Sequence, residues 1–342
     1  NSKRYKVLFL YYDPHPFHAK MAKSVGSVFY AAPKLKSESS NMFTGGIDII
    51  KAVIDLPKNY DIYLCEGTYI IPAIAKRFGM LNKNAKIVNI LASPMLYYIK
   101  TGLIKGLRKR FALSLLKNVD LFVSIGAMED EFLKEILPTA HSFISYPSIN
   151  KKLLTKIIKT KTKPDLYNKK IIAVGTHDAY YKGMDIIIEA FRIVKNKYPD
   201  TTLEIVGQME NINKYLPKNT DGLIYNGYVD NLLGHMMNSS ICVHMGRGDT
   251  FPVSTMEAMA TGLPTIVSDF TGTKEMVSSV DKGMVLPLDA ETLARKIQWY
   301  FNLGKAKKIG LSNKFRHAAI KFNNKDYISK FKRNFYEALN DD

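Results

Sequence analysis

The amino-acid sequence predicts an α/β protein made of two doubly wound domains in tandem. The chain has 342 residues, and at roughly 100 to 200 residues per domain this length favours two domains over one. Short apolar runs of strand length recur along the chain and alternate with stretches of helical periodicity. Strands that alternate with helices form parallel sheets with both faces covered, and such strands are apolar throughout.

The first half of the chain contains five predicted strands, over residues 5–12, 60–66, 86–93, 119–125 and 142–146. Helices are predicted over residues 68–81, where the apolar residues fall on one face, and over residues 127–137, which start with an acidic turn and stop at Pro138. This alternation is typical of a Rossmann-like domain.

The second half repeats the pattern. Six strands are predicted, over residues 170–174, 202–206, 223–226, 241–245, 264–268 and 284–288. The helical stretches are residues 182–198, 255–261, 290–302 and 325–339.

A lysine-rich stretch separates the two halves. Residues 151–163 carry six lysines and are followed by Pro164, which is typical of a linker or of the helix that flanks one. We therefore assign residues 1–163 to an N-terminal domain and residues 164–322 to a C-terminal domain. Residues 323–342 are assigned to a helix that could cross back to the first domain.

Composition excludes several classes of protein. The two cysteines, Cys65 and Cys242, lie far apart, so neither a disulfide framework nor a cysteine zinc site is expected, and a reducing cytosol fits best. No apolar run approaches the roughly 18 residues that span a bilayer, and the chain opens directly into a strand-like run. We expect a cytoplasmic protein that is soluble or peripheral to a membrane.

The charge balance predicts an anionic partner. The chain has 49 Lys and Arg against 31 Asp and Glu, a formal net charge of +18. Phosphorylated metabolites, nucleic acids and acidic lipid headgroups are all compatible with this charge, which does not choose among them.

Strand ends that contain glycine are the places to look for a binding site, because ligands of open α/β sheets lie outside the carboxyl ends of the strands. Gly175 ends one predicted strand, and the loop after it places Lys182 at the start of the next helix, where its ammonium could meet a phosphate or could simply be solvated. Gly207 ends the next strand along the chain.

The third strand end is the richest. Gly246 to Val253 precede a predicted helix, and the free amides of a helix N-terminus bind anions. Structural explanations exist for single residues: Ser254 and Glu257 have the spacing of a capping box, Gly262 could end the helix, and Asp249 could form a turn. The whole string is more specific than its parts.

This string resembles the acidic-x7-acidic motif of the retaining glycosyltransferases of family 4, the group 1 glycosyltransferases of GT-B fold. It reads Asp249-Thr250-Phe251-Pro252-x-x-x-Glu257-Ala258-Met259-Ala260-x-Gly262-x-Pro264-Thr265-Ile266-x-Ser268, with Gly272 and Glu275 after it. The segments before it follow the order and spacing of that family: Gly175-x6-Lys182-Gly183, Val206-Gly207, Gly227-Tyr228-Val229 and residues 241–245. The match covers residues 170–300 well. In the first domain only the strand-helix rhythm and residues 119–124 are similar.

The resemblance implies two Rossmann-like domains facing across a cleft, and a metal-independent transfer of a sugar from a nucleotide-sugar donor with retention. The three catalytic candidates are Lys182 at the diphosphate, Asp249 at the transferred sugar and Glu257 at the ribose hydroxyls. Tyr228 and Val229 would lie near the base, and the other donor-binding candidates are Gly175, Thr176, Gly207, Arg247, Phe251, Pro252, Val253 and Ser254. The ammonium and the helix dipole would stabilise the departing diphosphate.

The donor is implied as a substrate, a UDP-, GDP- or ADP-sugar, and no cofactor or metal ion is expected. The acceptor would be a glycan, a glycolipid or another lipid-linked molecule of glycan biosynthesis. No nucleic acid is expected as a partner.

Four positions depart from the family pattern. Thr176 stands where an arginine usually accompanies the lysine, and Asp249 is shorter than the usual glutamate by one methylene. Residues 13–18 replace the glycine-rich loop after the first strand, and Ala92 stands in place of a histidine. We suggest that Arg247 compensates for Thr176.

Residues 13–18 also contain two histidines. His15 and His18 lack further ligands nearby in the sequence, so a zinc site is disfavoured, and we expect them to line the cleft or to cap the following helix. Asp13, at the end of the first strand, is a candidate for contact with a sugar or an acceptor.

The basic stretch from Lys100 to Lys117 has two interpretations. It combines six basic residues with leucine and phenylalanine at helical spacing. Such a helix could lie on an anionic membrane surface, or it could bury its apolar face in the domain and leave its lysines in water.

Three other functions stay open. A degenerate family member would bind nucleotide sugar without turnover, which Thr176 and Ala92 suggest. A nucleic-acid-binding protein is supported by the charge alone, and no recognition motif accompanies it. A dinucleotide oxidoreductase lacks the expected G-x-G-x-x-G after either opening strand.

Overall fold

The computed structural model describes residues 5–33, 42–160, 163–218 and 221–340. The chain divides into two compact units: residues 1–147 together with 326–342, and residues 148–325. The boundaries differ from those assigned from the sequence, which were 163 and 322. Among the described residues, no helix has the length and the apolar character needed to cross a membrane.

The first unit is a doubly wound α/β domain. In its described residues a sheet of six strands has the order β2-β1-β3-β4-β5-β6, and all neighbours are parallel. The strands are β1 Val7–Tyr11, β2 Val28–Ala31, β3 Ile62–Glu66, β4 Lys86–Leu91, β5 Leu121–Ser124 and β6 Ser142–Ile144. The helices are α1 Pro16–Ser24, α2 Met42–Asp55, α3 Ile70–Arg77, α4 Met95–Lys100, α5 Gly106–Leu116 and α6 Ala127–Ile136.

The second unit has the same architecture. Its described residues form a sheet of six parallel strands in the order β11-β9-β7-β12-β13-β14, beside a two-stranded sheet of β8 and β10. The strands are β7 Lys170–Val174, β8 His177–Asp178, β9 Thr202–Val206, β10 Met209–Glu210, β11 Leu223–Tyr225, β12 Ile241–His244, β13 Thr265–Ser268 and β14 Val285–Leu286. The helices are α7 Lys151–Lys159, α8 Met184–Lys197, α9 Leu232–Met237, α10 Val253–Thr261, α11 Lys274–Val280, α12 Ala290–Phe301 and α13 Lys305–Asn323.

Helix α7 explains why the first boundary lies earlier than the lysine-rich stretch predicts. The helix buries Leu154 and Ile157 and packs on α10. Arg316 of α13 donates a hydrogen bond to the carbonyl oxygen of Ile157 at 3.2 Å. Because its apolar side is covered by second-unit helices, the stretch is part of that unit and not a linker.

The last helix, α14 Tyr327–Asn340, groups with the first unit. It packs on α1 and buries Phe331 and Phe335 completely. The ring of Phe331 lies 5.9 Å from the ring of Phe143, and the hydroxyl of Tyr336 donates to the carbonyl oxygen of Val25 at 3.3 Å.

Each sheet has a point at which the order of its strands reverses. In the first unit this switch point lies between β1 and β3, and in the second it lies between β7 and β12. Crevices at the carboxyl ends of the two strands that flank a switch point are where open α/β sheets bind ligands.

Candidate functional site

The candidate site of the second unit lies at its switch point, where the loops after β7 and β12 approach each other. Gly183 is the N-cap of α8 with φ of +72°, and a Cβ added to it would lie 1.9 Å from the carbonyl oxygen of Met245. The backbone N–H of Arg247 donates to the carbonyl oxygen of Tyr181 at 2.8 Å. Glycine therefore permits a contact that places Lys182 beside the β12 loop.

Lys182 and Asp249 form a buried ion pair in this site. Lys182 Nζ lies 2.6 Å from Asp249 Oδ2, and the two residues are 67 positions apart in the chain. His244, the last residue of β12, bonds the same oxygen through Nε2 at 2.8 Å. Because a carboxylate accepts, the imidazole donates from Nε2.

The electrostatics of this cluster keep Asp249 ionised. Burial by itself raises the pKa of a carboxyl group, but the charge of Lys182 and the hydrogen bond from His244 outweigh it. Together they hold the pKa of Asp249 well below its usual range. The cluster therefore contains a fixed anion between two basic groups.

The pKa of Glu257 is shifted in the opposite direction from that of Asp249. Glu257 lies on α10, half-buried, and within the described residues it has no hydrogen-bond or ion-pair partner. Burial raises the pKa of Glu257 to about 7. A carboxyl group in this condition is open to a ligand that would satisfy it.

The start of α10 decides between the structural and functional interpretations of Glu257. The helix begins at Val253 with Pro252 as its N-cap, and no side chain caps it. The predicted capping box of Ser254 and Glu257 is therefore wrong, because Ser254 already lies inside the first turn. The first amides of α10 have no acceptor within the helix and stay available to an anion.

The donor-binding candidates of this loop are presented mainly through their backbone. Phe251 is buried, with its ring stacked on the ring of Phe322 at 5.8 Å. Pro252 is buried as well, and Val253 and Ser254 are half-buried. Side chains that pack inward leave main-chain groups to face a ligand.

Arg247 is engaged by an acidic side chain and a backbone carbonyl group of its own unit. Its guanidinium forms two hydrogen bonds with Asp185, at 2.8 and 2.7 Å, and a third with the carbonyl oxygen of Tyr180 at 2.6 Å. It also lies 3.8 Å from the centre of the Tyr180 ring. In the structure Arg247 ties the β12 loop to α8, so the suggestion that it replaces the arginine missing at Thr176 has no support.

The remaining candidates lie at neighbouring strand ends. A Cβ on Gly207 would lie 1.9 Å from the carbonyl oxygen of Gly175, so the ends of β7 and β9 touch through glycine. Thr176 and Tyr228 are exposed, the latter by 78%, whereas Val229 packs against the core of the unit. The side chain of Tyr228 is thus open to solvent, whereas that of Val229 is partly buried, and a contact of either residue with a base stays a prediction.

The switch point of the first unit holds a second cluster. Glu66 ends β3, and its Oε1 accepts hydrogen bonds from His18 Nδ1 at 2.7 Å and from the backbone N–H of His15 at 3.2 Å. His18 is buried, and its Nε2 has no partner among the described residues. His15 caps α1, as predicted, by accepting from the N–H of Phe17 at 3.3 Å, and Asp13 is exposed.

The residues that the structure describes contain no group of three or more His, Cys, Asp or Glu side chains that could hold a metal ion. Three site residues were not predicted from the sequence: His244, Asp185 and Glu66. His244 and Glu66 each end a strand, and that position was their one sequence signal.

A family model matches within the second unit, and relatives match part of the chain. Residues 168–302 fit the family described as Glycosyl transferases group 1. An uncharacterised glycosyltransferase of Haemophilus influenzae is 30% identical over 127 residues, 35% of each chain. The phosphatidyl-myo-inositol mannosyltransferase of Mycobacterium tuberculosis is 25% identical over 130 residues, 36% of this chain and 34% of that protein. The matches thus span about a third of the length of these relatives.

A solved structure covers both units. It is described as trehalose-6-phosphate from E. coli bound with UDP-2-fluoro glucose, and it matches with a TM-score of 0.70 over 98% of both chains. At 12% sequence identity this likeness shows the fold. The expected Rossmann-like architecture is thereby confirmed. Residues 168–302 are thus similar to the glycosyl transferases of group 1, and the chain that contains them has the GT-B fold.

Proposed function

We propose that the protein is a retaining glycosyltransferase that moves a sugar from a nucleotide-diphosphate donor to an acceptor. The observation that carries the proposal is the buried pair of Lys182 and Asp249 at the switch point of the second unit, followed along the chain by helix α10 with its unpartnered Glu257. All three residues lie within the range that matches group 1 glycosyltransferases. These residues are the three that the motif resemblance assigns to catalysis.

In this proposal Lys182 and the first amides of α10 bind the diphosphate. An ammonium has three donors, so Lys182 can keep its bond to Asp249 and still donate to a phosphate oxygen. As the bond to the sugar breaks, negative charge grows on the diphosphate, and these preplaced groups stabilise it without a metal ion. The ammonium of Lys182 and the amides of α10 are then in position before the reaction begins.

Asp249 and Glu257 would hold the two sugars of the donor. Asp249 keeps one carboxylate oxygen for Lys182 and His244, which leaves Oδ1 for a hydroxyl of the transferred sugar. Glu257 would accept from the ribose hydroxyls, and its pKa near 7 would fall when those hydroxyls donate to the ionised form.

The acceptor is proposed as a glycan or a lipid-linked molecule, approached from the first unit. A relative named for the mannosylation of a phosphatidylinositol supports the lipid-linked class. Exposed residues between Lys100 and Lys117 would bring the protein to the inner face of an anionic membrane, as a peripheral cytoplasmic enzyme.

A thermal-shift panel tests the donor site. UDP, GDP, ADP, NAD and the sugar conjugates of the first three are added to the wild type, Lys182→Ala and Glu257→Ala, with Lys307→Ala and Glu291→Ala as exposed controls on the same unit. A ligand at about 100 times its Kd adds roughly 2.7 kcal/mol to the stability of the folded state. We expect one sugar nucleotide to stabilise the wild type and both controls but neither site variant.

Turnover then separates the enzyme from a binding protein. Release of nucleoside diphosphate from the stabilising donor, faster than in buffer alone, supports a transferase. Binding without release would favour the degenerate alternative, which the exposed Thr176 suggests. Stabilisation by NAD alone, or by no nucleotide, would remove the donor-site proposal.

A further inference from the structure

A row of bare apolar side chains lies at the start of α5 in the first unit. Leu103, Leu107 and Phe111 are 60%, 80% and 55% exposed, while Leu115, the next member of the series, is buried. The end of α5 is thus anchored in the core, and its first two turns lie on the surface. Clustered exposed apolar side chains mark interaction sites more often than ordinary surface.

Basic side chains surround this row. Lys105, Arg108, Lys109 and Arg110 are all exposed, and residues 101–117 contain no Asp or Glu. At 3.6 residues per turn, Arg108 and Arg110 lie on either side of Leu107. Within the described residues, none of these four basic side chains forms an ion pair.

Lys100 belongs to the same basic stretch and is also exposed, but unlike the other four it has an acidic partner. Its Nζ bonds Glu135 of α6 at 2.6 Å and lies 4.4 Å from the centre of the Phe132 ring. The face that is open to a partner is therefore residues 103–111. The interpretation of this stretch as a helix with its apolar side in the core holds only for Leu115 and Leu116.

We propose that the face formed by residues 103–111 docks on an anionic lipid surface. Leu107 and Phe111 would enter the boundary between headgroups and acyl chains, and Arg108 and Arg110 would reach the lipid phosphates beside them. A second copy is a poor occupant, because it would set the same basic residues against each other in a chain of net charge +18. The proposal rests on the proposed function, because docking on a membrane would give the enzyme access to a lipid-linked acceptor.

Vesicle co-sedimentation tests the proposal without nucleotide. We expect the full chain to bind vesicles of equal parts phosphatidylcholine and phosphatidylglycerol, less at high salt, and not vesicles of phosphatidylcholine alone. Arg108→Gln with Arg110→Gln should lower the partition coefficient about 30-fold, which is about 2 kcal/mol for two basic residues near an anionic surface. Leu107→Ser with Phe111→Ser should lower it at least about tenfold.

Two control pairs match these changes in kind. Lys307→Gln with Lys314→Gln removes the same charge from exposed positions on α13, and Ile224→Ser with Ile309→Ser removes exposed apolar side chains from the second unit. Both controls should bind vesicles nearly as well as the wild type.

Fluorescence reports insertion directly. Trp299 is the single tryptophan of the chain and lies on α12 of the second unit. In the double variant Leu107→Trp with Trp299→Phe, the tryptophan emission should shift to the blue when anionic vesicles are added. The emission of Trp299 in the wild type should not shift.

Three results would overturn the proposal: no pelleting with any vesicle, equal loss in the α13 control, or self-association without lipid that Leu107→Ser with Phe111→Ser abolishes. The α5 variants should keep their stabilisation by a donor nucleotide, and Lys182→Ala should still pellet. Failure of lipid binding and failure of the donor site are therefore separate observations.

Discussion

Each unit has a carboxylate at the switch point of its sheet, but the two carboxylates have different partners. In the first unit, Glu66 at the end of β3 bonds the imidazole of His18, and among the described residues it pairs with no lysine or arginine. In the second unit, Asp249 after β12 bonds both Lys182 and His244. The folds are alike, and the difference lies in one ammonium group.

This difference indicates what each switch point can bind. An ammonium is charged at every physiological pH, so the second switch point suits a diphosphate, whose charge it meets. An imidazole held by a carboxylate at Nδ1 offers Nε2 to a neutral donor or acceptor, such as a hydroxyl. The two switch points therefore differ in charge through a single side chain, and under the proposed function only the second would meet a diphosphate.

Removal of Lys182 should have the largest effect on activity. It tests directly whether the ammonium group distinguishes the second switch point from the first. We expect Lys182→Ala to lower kcat/KM by a factor of roughly 10² to 10³, or about 2.7 to 4 kcal/mol, since one donor to a developing charge is lost. His18→Ala should leave stabilisation by a donor nucleotide unchanged. Steady-state kinetics and thermal shift with the same donor measure both, and equal loss of donor binding in the two variants would contradict the comparison.

The ion pair itself should contribute to stability, and a double-mutant cycle measures it. Asp249→Asn leaves Lys182 buried with its charge uncompensated, which we expect to lower the free energy of unfolding by about 3 kcal/mol. Adding Lys182→Met should recover part of that loss, because the unpaired charge is then absent. Urea denaturation of the two single variants and the double variant gives the coupling, and strict additivity would show that the pair contributes nothing in the free protein.

The sequence predicts those strands and helices whose pattern of apolar residues is visible within the element itself. Strands β7 and β9 match the predicted residues 170–174 and 202–206, because a strand buried on both faces is apolar throughout. Strand β2 was not predicted, since it is a short edge strand with half-exposed residues. Helix α13 was missed because it buries polar residues such as Lys308 and Ser312 beside Phe315, which hides its apolar face.

The site divides in the same way. Lys182, Asp249 and Glu257 belong to a string with fixed spacing, so the sequence singles them out. The contacts around them follow no local pattern. His244, which bonds Asp249, is an isolated polar residue in a buried strand, and Asp185 meets Arg247 of the same loop from 62 positions away. Sequence patterns therefore predicted the acidic residues but not which of them is ionised.

Glu257 predicts a pH dependence of stability. The pKa of Glu257 is about 7 in the folded protein, against 4.5 for a glutamate side chain in water, so between these values the folded state binds more protons than the unfolded state. Stability is then lost as pH rises from 4.5 through 7. In the absence of ligand, Glu257→Gln should stabilise the protein by about 2 kcal/mol more at pH 8 than at pH 5. Urea denaturation at both values, with Glu291→Gln as an exposed control, checks this, and equal effects at the two pH values would contradict it.

Substitution of His15 should have the smallest effect. It tests whether this side chain takes part in turnover or only caps α1. Its ring caps α1 through Phe17, and its N–H donates to Glu66. We expect His15→Ala to lower the free energy of unfolding by about 1 kcal/mol and His15→Asn to retain most of it, because asparagine is a good N-cap. Turnover at a temperature where both variants are folded is the decisive readout. If His15→Asn is as stable as the wild type but turns over more slowly, the ring has a role in turnover beyond capping. Equal turnover would confine His15 to capping.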